Sequence, residues 1–323
     1  MQEIFNRYIN YLKVERNASP YTIRNYRNDL LGNYKRGSEK GFFQFLRLRN
    51  IESIDRVDKQ VLRDYLSYLI EQGIAKGSIT RKLSAVRSLY RYLLREGILN
   101  NNPIDNASSP KRERRLPSFL TVEETVSLLK APDLETPQGL RDRCLMELIY
   151  ASGLRVSELA NLNMEQINLD TCEIRVLGKG SKERIVLIGE PAAKALSDYL
   201  YKGRPQLKAN IGDRYAIFLN NKGDRLSERM IQKILNKYAR LAGIDKKVHP
   251  HLLRHTFATH MLDGGADLRV VQELLGHSNL ATTQIYTHVT QSHARKVYLS
   301  AHPMAREEDD SDGTSGVTVN KNP

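Results

Sequence analysis

Apolar side chains recur at helical spacing through the first hundred residues, and this period is the strongest constraint on the fold. Tyr21, Ile23, Tyr26, Leu30 and Leu31 form one run; Val61, Leu62, Tyr65, Leu66, Leu69 and Ile70 form a second. Ile79, Leu83, Val86, Leu89, Tyr90, Leu93 and Leu94 form a third. Residues three and four apart share a helix face, so each run predicts a helix that buries one stripe. Ser19-Pro20 reads as an N-cap followed by proline at the first helical position. Asn100-Asn101-Asn102-Pro103 stops the third run. Between the first two, Gly37–Asn50 carries Phe42, Phe43 and Phe45 and reads as a turn with a short extra helix.

The chain then changes character. From Asn106 to Pro117 it is polar, bounded by proline and basic, with Lys111-Arg112-Glu113-Arg114-Arg115, as an interdomain linker would be. The 323 residues suit about two domains at roughly 100–200 residues each. The expected boundaries are a helical domain over 1–107, a linker over 108–117, a second domain over 118–304 and an acidic, disordered tail over 305–323. Thr121-Val122-Glu123-Glu124 opens the second domain with a capping box. That domain reads as helical with one break. Glu173–Leu177 and Arg184–Ile188 are β-like and joined by Gly178-Lys179-Gly180-Ser181-Lys182, a hairpin connection, and Ala216–Leu219 offers a third strand. Helices are expected near 190–202, 226–242, 250–263 and 268–275, the last capped by Asp267 and ended by Gly276.

Charge narrows the partner. Net charge is +13, and residues 1–115 hold 23 Lys and Arg against 12 Asp and Glu, a balance of +11. Such a field draws polyanions. Arg24, Arg27, Arg81, Lys82, Arg87 and Arg91, with Arg114 and Arg115 in the linker, are the candidate nucleic-acid contacts. A basic helix face is also commonly just a solvated face, and charge alone does not decide. No apolar run reaches the roughly 18 residues of a membrane helix. The start has no apolar signal segment. Cys144 and Cys172, the only cysteines, give neither a disulfide framework nor a four-ligand zinc site. A reduced, cytoplasmic protein without a metal or other cofactor, acting on an anionic partner, is expected.

Chemistry concentrates late in the chain. In His249-Pro250-His251-Leu252-Leu253-Arg254-His255, a helix starting near Pro250 sets His251 and Arg254 on one face. His251 and His255 have zinc-ligand spacing, but the glutamate of the HExxH pattern and a third acidic ligand are missing. Leu274-Leu275-Gly276-His277 is followed nine residues after the histidine by Tyr286.

Taken in order, Ala151-Ser152-Gly153-Leu154-Arg155-Val156-Ser157-Glu158-Leu159, Gly178-Lys179-Gly180, His251-Leu252-Leu253-Arg254-His255, Leu274-Leu275-Gly276-His277 and Tyr286-Thr287-His288 resemble the tyrosine recombinases, and among them the Xer-type enzymes that resolve chromosome dimers. The resemblance runs from about residue 1 to about 304. The Phe-rich piece near 37–50 and the acidic tail fit it less well. It implies a mainly α protein: an N-terminal helical, SAM-like DNA-binding domain and an α-helical catalytic domain with a small antiparallel sheet, the two clamping a duplex.

The same resemblance implies that Arg155, Lys179, His251, Arg254 and His277 form the active site, with Tyr286 as nucleophile and Glu158 supporting Arg155. An exposed helix charge is the plainer reading of Glu158. The residue types suit the chemistry. Attack on a phosphodiester piles charge on the non-bridging oxygens, and preorganised guanidiniums meet it. By the resemblance His277 can add a hydrogen bond, and His251 is the candidate to take or orient the tyrosine proton. Lys179 is the expected donor of the proton that the leaving 5′-oxygen needs. The product, a 3′-phosphotyrosine and a free 5′-hydroxyl, retains the bond energy, so rejoining needs no ATP.

The implied partners are a double-stranded DNA recombination site, a homo- or hetero-tetramer with a paralogous recombinase, and a DNA translocase of the FtsK type, all at the nucleoid and none at a membrane. A phage or transposon integrase, a type IB topoisomerase or a non-catalytic DNA-binding protein of the same fold are the rivals. His293, Ala294, Val297, Tyr298, Leu299 and Ala301 predict a short amphipathic helix after the nucleophile. The resemblance docks it on a neighbouring protomer; its own domain is the alternative.

Overall fold

The computed structural model describes residues 1–32, 40–104, 118–177, 183–209, 212–276 and 295–305. The chain divides into two compact units, Met1–Leu116 and Pro117–Pro323.

The first unit is helical. Its helices are α1 (Gln2–Val14), α2 (Pro20–Leu31), α3 (Phe42–Leu48), α4 (Lys59–Glu71) and α5 (Lys76–Arg95). Ser19 caps α2 by accepting from the Thr22 N–H at 3.2 Å, and Asp58 caps α4 through Val61 at 2.8 Å. The extra helix expected between 37 and 50 is α3, and all three of its phenylalanines are buried. Phe43 meets Phe5 edge to face with centroids 6.0 Å apart, and Phe45 lies 5.1 Å from Tyr65. These rings join Tyr8, Leu62, Leu83, Val86, Leu89 and Tyr90 in one core.

The second unit is built around α7 (Pro137–Ser152), whose residues Cys144–Ser152 are all buried. It packs against α6 (Val122–Lys130), α9 (Glu190–Asp198), α10 (Arg204–Leu207) and α12 (Pro250–Asp263). The remaining helices are α8 (Val156–Ala160), α11 (Glu228–Leu241) and α13 (Leu268–Leu274). The expected capping box closes α6: Thr121 N–H donates to Glu124 Oε2 at 2.8 Å and the Thr121 hydroxyl accepts from Glu124 N–H at 3.2 Å. Buried charges on α7 are matched. Arg141 Nε donates to Asp142 at 2.8 Å, Arg141 Nη1 to the Leu219 carbonyl at 3.0 Å, and the Tyr238 hydroxyl to Asp142 at 3.1 Å.

The sheet is antiparallel in the order β1 (Ile167–Asn168), β2 (Glu173–Leu177), β3 (Glu183–Leu187). Ile174 faces Val186 and Val176 faces Arg184 across the β2–β3 ladder. The third strand is therefore 167–168 and not Ala216–Leu219, which makes only isolated bridges. Side chains satisfy that buried backbone instead. Arg204 donates to the Ala216 carbonyl at 2.7 Å, and the Tyr199 hydroxyl donates to the Ile217 carbonyl at 3.1 Å. That hydroxyl in turn accepts from the Leu219 N–H at 3.2 Å. The helix expected over 190–202 is α9 followed by a wider π turn over Tyr199–Gly203 that leads into α10.

The late amphipathic helix forms over 295–301, labelled α14. It docks on its own unit, the alternative named for it above. Tyr298, Ala301 and Ala305 belong to the core shared with α7 and α12. Tyr298 stacks on His302 at 5.1 Å, and the Glu190 N–H donates to the Ala305 carbonyl at 3.3 Å. The buried apolar face finds its cover within the chain, which is what a two-turn helix needs to persist. Among the described residues no helix is long and apolar enough to cross a membrane.

Candidate active site

Arg155 is the N-cap of α8, with extended backbone at φ −70° and ψ 147°. Glu158, three residues on, reaches back to it. Its Oε2 accepts from the Arg155 backbone N–H at 2.9 Å and its Oε1 from Arg155 Nη1 at 2.7 Å. One carboxylate thus fixes both the start of the helix and the direction of the guanidinium. The second fork nitrogen, Arg155 Nη2, donates to the Gly276 carbonyl at 3.1 Å. The exposed-charge reading of Glu158 fails: its side chain is 5% exposed.

Arg254 comes from α12. Pro250 opens α12, and His249 caps it by accepting from the Leu252 N–H at 3.0 Å. One turn on, Arg254 is buried, with Nη2 donating to the Leu275 carbonyl at 2.6 Å and Nη1 to the Gly153 carbonyl. Burial and then the nearby Arg155 charge pull its pKa down to about 10, so it remains a cation at neutral pH. Gly153 ends α7 at φ +58°, a left-handed turn that brings its carbonyl round to Arg254. A Cβ there would lie 2.7 Å from Phe257 and 2.8 Å from Leu275.

The two guanidiniums therefore hold consecutive carbonyls, Leu275 and Gly276, at the end of α13. Asp267 caps that helix through Arg269 N–H at 2.7 Å, and Gly276 leaves it at φ +65°, as expected. His277 is the next residue in sequence. His251 is exposed on the first turn of α12, the helix that buries Arg254. Lys179, His277 and Tyr286 lie outside the described residues, as do Arg114 and Arg115.

A third guanidinium joins this pair, at a position the motifs do not mark. Arg184, the second residue of β3, donates from Nη1 to Glu158 Oε1 at 2.8 Å and from Nη2 to Oε2 at 2.9 Å. Burial alone would raise the Glu158 pKa; the bonds from Arg184 and Arg155 outweigh it and hold the carboxyl at about 2. Arg184 lies in the apolar-looking stretch Arg184-Ile185-Val186-Leu187-Ile188, which hides the alternation of the strand. Its place on the face of buried Val186 is the signal that an inward charge needs a partner.

The candidate nucleic-acid contacts in the first unit divide. Arg24, Arg27 and Arg91 are exposed, Arg24 lying 4.2 Å over the Tyr21 ring. Arg87 is half-buried, and Arg81 is paired with the buried Asp29. Lys82 is not a surface cation. It is buried, donates to the Lys40 carbonyl at 2.8 Å and lies 3.6 Å from Asp29. Its charge compensates a carboxylate inside the unit.

Family models match both units: "Phage integrase, N-terminal SAM-like domain" over residues 5–97 and "Phage integrase family" over residues 118–293. The tyrosine recombinase XerC of Pelotomaculum thermopropionicum is 45% identical over 301 residues, spanning 92% of this chain and 96% of that protein. The tyrosine recombinase XerD of Staphylococcus epidermidis is 42% identical over 305 residues, spanning 94% of this chain and all of that protein. Among solved structures, the XerH site-specific recombinase bound to a palindromic difH substrate, in a post-cleavage complex, is similar with a TM-score of 0.65 and 25% identity. The match covers 88% of this chain and 81% of that one.

Proposed function

The chain belongs to the phage integrase family, and from that membership we propose that it is a Xer-type tyrosine recombinase. It cuts and rejoins DNA at a specific site and resolves chromosome or plasmid dimers at cell division. The observation that carries the chemistry is the pair of guanidiniums, Arg155 and Arg254, fastened to the two carbonyls that precede His277. Their carbonyl and carboxylate partners fix them before any substrate arrives, so little reorganisation is left for the transition state.

The Tyr286 hydroxyl oxygen attacks the scissile phosphorus while its proton passes to His251 or to water oriented by it. Arg155 and Arg254 meet the charge on the non-bridging oxygens, and His277 adds a hydrogen bond. The P–O5′ bond breaks, and Lys179 supplies the proton that the 5′-oxygen needs to leave. The 5′-hydroxyl of the partner strand then attacks the 3′-phosphotyrosine, releasing Tyr286. Two such exchanges pass through a Holliday junction in an assembly of four protomers, of one kind or shared with a paralogous recombinase, with a DNA translocase of the FtsK type as trigger. Residues 1–107 hold the duplex and residues 118–304 perform the transfer.

Sequencing the DNA covalently trapped on the protein in its own cells tests the reading. A single recurring genomic site, joined through its 3′-phosphate, is expected. Tyr286→Phe should bind that site and trap none of it. Trapping by the Phe variant would assign the nucleophile to another tyrosine.

A further inference from the structure

We propose that Arg184 is a positioning residue of the phosphate site: it neutralises Glu158 so that Arg155, held by the same carboxylate, keeps its charge for the scissile phosphate. This rests on the recombinase reading above. A site that must meet a growing negative charge contains a buried carboxylate in direct contact with one of its two guanidiniums. Arg155 and Glu158 alone sum to zero, leaving Arg254 as the uncompensated member of the pair of guanidiniums among the described residues. Arg184 restores the balance. Its fork takes both Glu158 oxygens, at 2.8 and 2.9 Å, while Arg155 takes one through Nη1 and the other through its backbone N–H. Two carboxylate oxygens thus serve four donors, and the cluster of Arg155, Arg184, Arg254 and Glu158 carries two net positive charges.

Arg184 also touches the other end of the Arg155 cradle. Its Cδ, Nε and Cζ fill the space beside Gly276, where a Cβ would come within 2.8–3.0 Å of them. The carbonyl of that same glycine accepts from Arg155 Nη2. Among the described residues the Arg184 Nε is buried without a hydrogen-bond partner.

The test uses a nicked suicide duplex carrying the site recovered by trapping, with single-turnover adduct formation as the readout. Arg184→Gln should bind the half-site within about threefold of wild type yet form adduct at least about tenfold more slowly, as loss of a charge felt in the transition state requires. With a neutral methylphosphonate at the scissile position, that defect should shrink to about twofold or less, because less charge must be met. Equal slowing on both substrates would show a merely structural role and overturn the proposal. In a Glu158→Gln background, Arg184→Gln should add little, since the charge it compensates is gone; additive losses would refute it. Rescue of Arg184→Gln by a 5′-bridging phosphorothiolate would place the effect on Lys179 instead and also refute it. Arg184→Lys keeps the charge without the fork and should retain more of the rate than Arg184→Gln. That comparison stands if the Gln variant proves unstable by circular dichroism, when Lys should still exceed a destabilised control of equal melting point; parity would overturn the assignment. Wild-type protein that forms no adduct removes the recombinase reading, and this proposal falls with it.

Discussion

Replacing Gly153 by alanine puts a methyl group where the structure has no room for one. At φ +58° an L-residue pays roughly 1–2 kcal/mol for the left-handed conformation. The new Cβ would also sit 2.7 Å from Phe257 and 2.8 Å from Leu275, overpacking that typically costs about 1–3 kcal/mol. The sum is about 2–5 kcal/mol. Gly243, in the same unit, is the control: it has φ +68° and nothing within 4 Å of an added Cβ. Gly243→Ala therefore carries the conformational part alone, and the unfolded-state entropy change of Gly→Ala cancels between the two variants. With roughly 2–4 °C lost per kcal/mol in a unit of this size, Gly153→Ala should melt about 2–12 °C below Gly243→Ala. Thermal scans of the full-length variants, followed by near-ultraviolet circular dichroism, measure the difference. The Gly153 carbonyl also accepts from Arg254. Adduct formation by Gly153→Ala should accordingly fall well below that of Gly243→Ala at a temperature where both are folded. Melting points within 1 °C of each other would refute the close packing on Gly153 and the reasoning drawn from it.

Three other outcomes are expected. Replacing the exposed Arg24, Arg27 and Arg91 together by alanine should weaken binding and flatten the dependence of log K on log salt by up to about 2.7, at about 0.9 for each phosphate no longer neutralised; an unchanged slope would mean that these cations do not touch DNA. Glu158 has a folded pKa of about 2, below its ordinary 4.5, so its contribution to stability is present above about 4.5 and is lost as pH falls toward 2. Denaturant titrations across that window should show a steeper acid loss for wild type than for Glu158→Gln, and parallel curves would contradict the ion cluster. Tyr298→Ala should cost about 3–5 kcal/mol, as large aromatic truncations in a core do, and lower the melting point of the free protein; an unaffected melt would mean that α14 leaves its own unit in solution.

The helical period made most of the first unit legible, because each of its helices buries one stripe and leaves the other side wet. The same spacing held a warning about Lys82, which stands at the third position after Ile79 and beside Leu83, on the stripe rather than off it. As one more basic residue in a basic run it has the look of a surface cation; only the structure supplies Asp29 and the Lys40 carbonyl. In the second unit, α7 gives no stripe at all, since it is covered on every side and its charges pair internally. The run Ala216–Leu219 has strand composition, yet the side chains of Arg204 and Tyr199 take the backbone groups that a ladder would use. Of the site, Arg155, Glu158 and Arg254 were legible from ordered motifs. Arg184 was not, because its partner lies twenty-six residues away in sequence and neither motif contains it.

The docking of α14 on its own unit sets an anchored segment on each side of Tyr286 in sequence. At one end Gly276 is held by Arg155; at the other, from residue 295, Tyr298 and Ala301 are seated in the core. Eighteen residues separate these anchors. A covalent connection of that length keeps α14 near its own seat at an effective concentration of order millimolar. Any neighbouring protomer that is to receive α14 in an assembly must offer its seat at a comparable local concentration, which free diffusion at cellular abundance does not provide and juxtaposition on adjoining half-sites does. Exchange of the helix between protomers thus becomes contingent on DNA having already brought them side by side.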